Sequence, residues 1–290
     1  MLYTIKNEAA EVKIESLGAE LQSFKGSGGT EFLWNGDPEF WASRAPNLFP
    51  IVGRLVNGAY RVGGREFKLG GHGFAREKEF SVVSRGEDSI AFELSSDDET
   101  RAVYPYDFSF VVDYRLNKNI LAVRFEIKNR GDGAMHFGVG AHPGFMCPIE
   151  SGEKFSDYYL EFSEPETAEL MTVRPDGFFG HETKPFLSNE KIINLDHGLF
   201  VPDALVFKGL KSNEISLKSK NHGKHVRVRF DGFGYLGIWT KVDAPYVCIE
   251  PWTSLGDYFD FTGEFEKKPG IARLEKRQIF TVTHEIGVFE

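Results

Sequence analysis

The stretch FSFVVDYRLNKNILAVRFEIK, residues 108–128, decides the fold class. Two runs rich in β-branched and aromatic residues flank Asn117, Lys118 and Asn119. A short polar break between two such runs predicts a β-hairpin. The pattern recurs outward in both directions. HVRVRF (225–230) and ISLKS (215–219) alternate apolar and polar side chains, which sets one face of each strand against a core. YRV and REFKL flank Gly63-Gly64, a pair able to take positive φ at both positions of a tight turn. RQIFTVTHEIGVF (277–289) supplies a further strand. Only DPEFWAS (37–43) suggests a helical turn. There is no internal repeat, low-complexity segment or Pro/Gly/Ser linker. Many strands with regular turn signals predict an all-β chain, a large antiparallel β-sandwich or barrel, in one domain spanning 1–290.

The bulk properties narrow the function. A chain of 290 residues can bury a sizeable core, and its 27 Phe suit a sheet-rich one. The net charge of -9, without a basic run, argues against a nucleic-acid partner while leaving room for a small anion. The N-terminal MLYTIKNEAAEVKIES is charged throughout, unlike a signal peptide, and no apolar run approaches membrane length. A cytoplasmic protein without a membrane partner is expected. Cys147 and Cys248 form no CxxC pair, so neither a disulfide framework nor a zinc knuckle is expected.

Chemistry-bearing residues gather in three stretches. His72 in GGHGFARE (70–77) and His142 in GAHPGF (140–145) lie beside small residues, and Pro143-Gly144 ends any strand at His142. Such imidazoles face open space from loops, where chemistry usually sits; turn histidines without a role are the other reading. His181 and His197 are expected in polar loops, His136 and His284 in strands. His222 and His225, near one strand, are not expected to share a metal. In YVCIEPW (246–252), Val247 and Ile249 share one face and Cys248 and Glu250 the other. Glu250 reads as a desolvated general base beside Trp252, or else as a salt-bridged glutamate near the surface. Sugars lay C–H faces on indoles and direct hydroxyls to carboxylates, imidazoles and arginines. Arg76 is either an exposed strand charge or a fork for hydroxyls or a phosphate.

These stretches, with GAELQSF (18–24), APNLFPIVGRLVNGAY (45–60) and DALVF (203–207) in this order, resemble the aldose 1-epimerase (galactose mutarotase-like) family nearly end to end. The likeness is greatest to its bacterial LacX-type branch. The resemblance implies a β-supersandwich with a sugar cleft on one face. It implies Glu250 as general base, His142 as proton donor, His72 and Asp203 as ligand-orienting groups, and Arg54 as a sugar-binding residue. The chain departs from galactose mutarotase proper around Asn57-Gly58, and at HGFAR it is similar to hexose-6-phosphate epimerases of the superfamily.

The residue types fit mutarotation. Opening a hemiacetal ring moves a proton from the C1 hydroxyl and another onto the ring oxygen, which calls for one base and one acid, expected on different sides of the sugar. No redox change or external nucleophile is involved, so no cofactor and no metal are expected. A free aldohexose is expected over a hexose 6-phosphate, which would need two of Arg44, Arg54 and Arg76 at one end of the cleft. Two alternatives stay open. One is a non-catalytic carbohydrate-binding protein on the same fold. The other is a glycosidase with Asp203 and Glu250 as its two carboxyls.

Overall fold

A computed structural model describes residues 1–201 and 203–290. The expected hairpin is present. Phe108–Asn117 pairs antiparallel with Ile120–Asn129, and Asn117 faces Ile120, so the turn is only Lys118-Asn119, with Lys118 at φ 53°. Phe108, Phe110, Val112, Tyr114 and Leu116 are buried along one strand, and Leu121, Val123, Phe125 and Ile127 along the other. Ile279–Phe289 pairs with the outer side of Ile120–Asn129. Antiparallel pairing then passes through His225–Arg229, Glu214–Ser219, Tyr158–Val173, Leu205–Lys208 and Tyr235–Trp239 to Tyr246–Trp252. With its branches this sheet has 15 strands. A twisted sheet of that size curls on itself and encloses a core. A second sheet of Leu2–Lys6, Ala10–Glu15 and Glu20–Gly26 adds Val12, Ile14, Leu21 and Phe24 to that core. Tyr3 of this sheet meets Phe92 edge-on at 5.5 Å. The chain is all-β and antiparallel as expected.

Local differences have physical causes. DPEFWAS is a turn, in which Phe40 and Trp41 N–H both donate to Asp37 O, and it does not continue as a helix. The α-helix among the described residues is Asp98–Val103. Asp97 caps it by accepting from Thr100 N–H, and the Thr100 hydroxyl accepts from Asp97 N–H in return. His181 lies in the strand Phe179–Asn194 and not in a loop. His197 is in a 3-10 turn, stacked on Phe155 at 4.0 Å. His284 is a core residue.

One strand positions the chemistry. All seven residues of Tyr246–Trp252 are buried. Val247 and Ile249 enter the main core, while Tyr246 and Cys248 project into a cluster with Trp34, Trp41 and Trp239. Trp252 belongs to another small cluster with Leu48, Val52 and Val206. Glu250, two residues from each of Cys248 and Trp252, stands between those clusters on the face away from the main core.

Candidate active site

A cleft of about 410 Å³ opens above Glu250, inside the range of roughly 300–1,000 Å³ usual for small-molecule sites. Arg54, His72, Arg76, His142, Asp203, Glu250 and Trp252 all line it, although they are spread over some 200 residues of chain. Arg44 does not; its guanidinium donates to Gln22 O, and its backbone N–H donates to Glu20.

Glu250 and His142 form the floor. Oε2 of Glu250 is 3.1 Å from Nε2 of His142, and both side chains are nearly closed to solvent. Burial, and then the negative charge of Asp203, push the Glu250 carboxyl well above the ordinary carboxylate range; the neighbouring Trp252 indole acts weakly the other way. Burial also drives His142 well below the usual imidazole value, helped by His72 and Arg76 and opposed by a backbone hydrogen bond. Burial thus disfavours the charged form of both partners. Among the described residues, Glu250 Oε2 makes no well-formed hydrogen bond despite its short approach to His142, and His142 Nδ1 and Trp252 Nε1 also lack partners. Buried polar atoms rarely stay unpaired without a reason. The chemistry alone predicted acid and base on different sides of the sugar; Glu250 and His142 instead stand side by side. Adjacent groups suffice, because the C1 hydroxyl oxygen and the ring oxygen are bonded to one carbon.

His72 is fixed by backbone. Its N–H donates to Gly53 O at 2.8 Å, and its Nδ1 accepts from Gly53 N–H at 3.3 Å, which assigns the proton to Nε2 in the neutral ring. Burial and the charges of Arg76 and Arg54 lower its pKa to about 4. The residue holds φ 66°, a left-handed conformation costing about 1–3 kcal/mol, as strained residues at functional sites often do. Gly73 is required by packing: a Cβ there would lie 2.2 Å from Phe49 O.

Behind the Gly53–Val56 loop sits a residue pair the sequence did not reveal. Asp257 accepts from Val56 N–H at 2.9 Å through Oδ2 and from Lys268 Nζ at 2.5 Å through Oδ1, and its own N–H donates to Arg54 O at 2.8 Å. This brace holds the loop that delivers Arg54, whose guanidinium donates to Asp176 O at 3.3 Å. Arg76 leaves its buried Nε without a partner and lies 3.6 Å from Glu77. Asp203 accepts from Ala204 N–H.

Aromatic rings form the walls. Trp252 lies against Gly237 and Gly140 on the flanking strands, where Cβ atoms would come within 2.6 and 2.7 Å of the indole. Trp41 and Trp239 pack on His142 at 4.9 and 5.9 Å, and both line the cleft. Neither was marked by sequence, since each becomes a wall only when a loop and a strand meet. The site offers a proton acceptor, a proton donor, an apolar platform and two guanidinium groups. The group within hydrogen-bond range of Glu250 is the His142 imidazole, and Asp203 lines the same cleft.

Comparison with known proteins bears on the family and the fold. The family profile described as Aldose 1-epimerase matches residues 1–270. Protein LacX (chromosomal) of Lactococcus lactis subsp. lactis is 38% identical over 283 residues, covering 94% of this chain and 95% of that protein. A galactose mutarotase related enzyme from Lactobacillus acidophilus superposes with a TM-score of 0.94 at 37% identity, over 100% of this chain and 98% of that one. A galactose mutarotase-like protein from Lactobacillus casei also gives 0.94, at 25% identity, with both chains covered in full. The fold is thus the galactose mutarotase-like one, and the chain belongs to the aldose 1-epimerase family.

Proposed function

We propose that the protein interconverts the α and β anomers of a free aldohexose such as galactose or glucose. The observation that carries this reading is the buried Glu250–His142 pair, 3.1 Å apart, on the floor of a cleft walled by Trp252. Glu250 takes the C1 hydroxyl proton while His142 protonates the ring oxygen. The C1–C2 bond of the open aldehyde then turns, and the two groups reverse their roles on closure. The neutral pair and the carboxylate–imidazolium pair carry the same number of protons. Shifting a single proton between the partners therefore converts the one into the other. Sugar hydroxyls donate to Glu250 Oε2, which has no hydrogen-bond partner among the described residues, and bonds to the carboxylate favour its charged form. Each positioned group contributes about 10²–10⁴-fold. Trp252 stacks on the C–H face, while Arg54, Asp203 and His72 orient hydroxyls.

A second reading, a hexose 6-phosphate 1-epimerase, is favoured by one feature: Arg54 and Arg76 both reach the cleft, and Arg76 Nε is unpartnered. Polarimetry of freshly dissolved α-anomers over free and 6-phosphorylated hexoses decides between them. Acceleration with the free sugars is expected. Activity confined to the phosphorylated set moves the assignment to the second reading. Binding without acceleration of any sugar leaves a carbohydrate-binding protein.

A further inference from the structure

The epimerase reading uses Glu250 and His142 but gives no part to Cys248. This free, fully buried thiol precedes Glu250 by two residues and shares its strand face. The donor atoms of His142, Cys248 and Glu250 all lie within 4.8 Å of one another. Glu250 is 1% exposed, and among the described residues its Oε2 has no hydrogen-bond partner. The sequence showed no metal-ligand spacing, because His142 arrives from a different strand end more than a hundred residues away.

We infer that Cys248, Glu250 and His142 form a binding site for a thiophilic divalent cation of the Zn²⁺ type, which occupies the cleft floor in place of sugar. A mixed sulfur, nitrogen and oxygen set suits zinc and not the hard cations magnesium or calcium. Zinc with bonds of roughly 2.0–2.3 Å holds its ligand atoms about 3.3–3.8 Å apart in a tetrahedron. The His142–Glu250 approach of 3.1 Å is already near that spacing. The widest separation is within 4.8 Å and so must close by no more than about 1 Å, a shift within reach of side-chain rotation. Three protein ligands leave the fourth position open toward the cleft, from which the ion enters. Thiolate and carboxylate together neutralise the two positive charges, which a buried ion requires. Binding releases the thiol and carboxyl protons to solvent. The ion takes both proton-transfer groups out of action, so it inhibits and a chelator restores. That consequence rests on the epimerase reading; the binding itself does not.

Co²⁺ serves as the spectroscopic probe. Titration of the protein with cobalt chloride is expected to saturate at one equivalent. It should produce a thiolate-to-cobalt charge-transfer band in the near ultraviolet, which Zn²⁺ then abolishes. Cys248→Ala should remove the band and weaken calorimetric Zn²⁺ binding at least tenfold while mutarotation persists. If that variant folds poorly, Cys248→Ser and competition by saturating galactose replace it, and galactose should weaken Zn²⁺ binding to the wild-type protein. Absence of the band, or a band unchanged in the cysteine variants, overturns the site and places any bound ion elsewhere, for example at His181 and Asp260 on the surface. A protein that shows the band but mutarotates no sugar keeps the metal site and loses the epimerase reading.

Discussion

Asp257 and Glu250 are both buried carboxyls with a basic partner, yet their surroundings differ in kind. Asp257 faces Lys268, and its two oxygens accept from Lys268 and from Val56 N–H. Burial lowers the Lys268 pKa and Asp257 raises it in opposition, so the charge pair is held at the cost of its own desolvation. Glu250 faces His142, Oε2 is left without a well-formed hydrogen bond, and a cleft lies above it. The first pair is complete within the protein and braces a loop. The second is left incomplete by the described residues and faces the cleft. Polar atoms left unpaired at the wall of a cavity mark where a ligand acts, and saturated ones mark the frame that aims the site.

Breaking the saturated pair should have the largest effect on stability. Lys268→Met leaves Asp257 an uncompensated buried charge and should cost about 3–5 kcal/mol in denaturant unfolding. The folded fraction should keep kcat within a few-fold and show a raised KM, because the Arg54 loop loses its brace. A stable variant with lost kcat would mean that the brace is part of the chemistry.

The unsaturated pair should respond the other way. His142→Asn should leave the unfolding midpoint nearly unchanged and lower kcat by about a hundredfold or more, with little change in sugar affinity, since protonation of the ring oxygen matters in the transition state. Collapse of affinity with turnover preserved at saturation would make His142 a binding residue.

His284 limits the rule, because its buried Nδ1 is also unpartnered yet it is packed near Phe125 and Phe233 in the core, away from the cleft. Burial holds its pKa at about 3, below the unfolded value of about 6.5. The folded state therefore takes up fewer protons than the unfolded chain between those values. Its contribution is full above about pH 6.5 and is lost as pH falls toward 3, by about 2–3 kcal/mol at about pH 4.5. His284→Leu should flatten that part of the stability–pH curve measured by urea unfolding. An unaltered curve would assign the acid sensitivity to other groups.

The smallest effect is expected at Arg76. For a free hexose, Arg76→Ala should change KM only a few-fold, and added salt should barely alter it. A large KM increase together with strong salt dependence would indicate a phosphorylated sugar.

Much of this was legible because strands carry their burial in a period of two. The hairpin at 108–128 and the split of Val247 and Ile249 from Cys248 and Glu250 follow from alternation alone. The site residues were marked by glycine and proline around His72, His142 and Glu250. Other parts gave no such signal. Tyr158–Val173 and Phe179–Asn194 form a long hairpin with register shifts, prolines and many exposed positions, so alternation survives only at Tyr158, Leu160 and Phe162. The helix Asp98–Val103 was readable in principle from its Asp97–Thr100 cap. Lys268 was not: nothing local distinguishes a buried lysine from the exposed Lys267 beside it. Trp41 and Trp239 likewise become cleft walls only through tertiary contact.

Glu250→Gln tests the central claim most directly, with mutarotation of fresh α-galactose followed by polarimetry and sugar binding followed by calorimetry on the same sample. The amide keeps the shape of the side chain and cannot accept the C1 proton. The account predicts a folded protein that still binds galactose and has lost about 10²–10⁴-fold in rate. Near-normal turnover by this variant would contradict it and remove Glu250 from the mechanism.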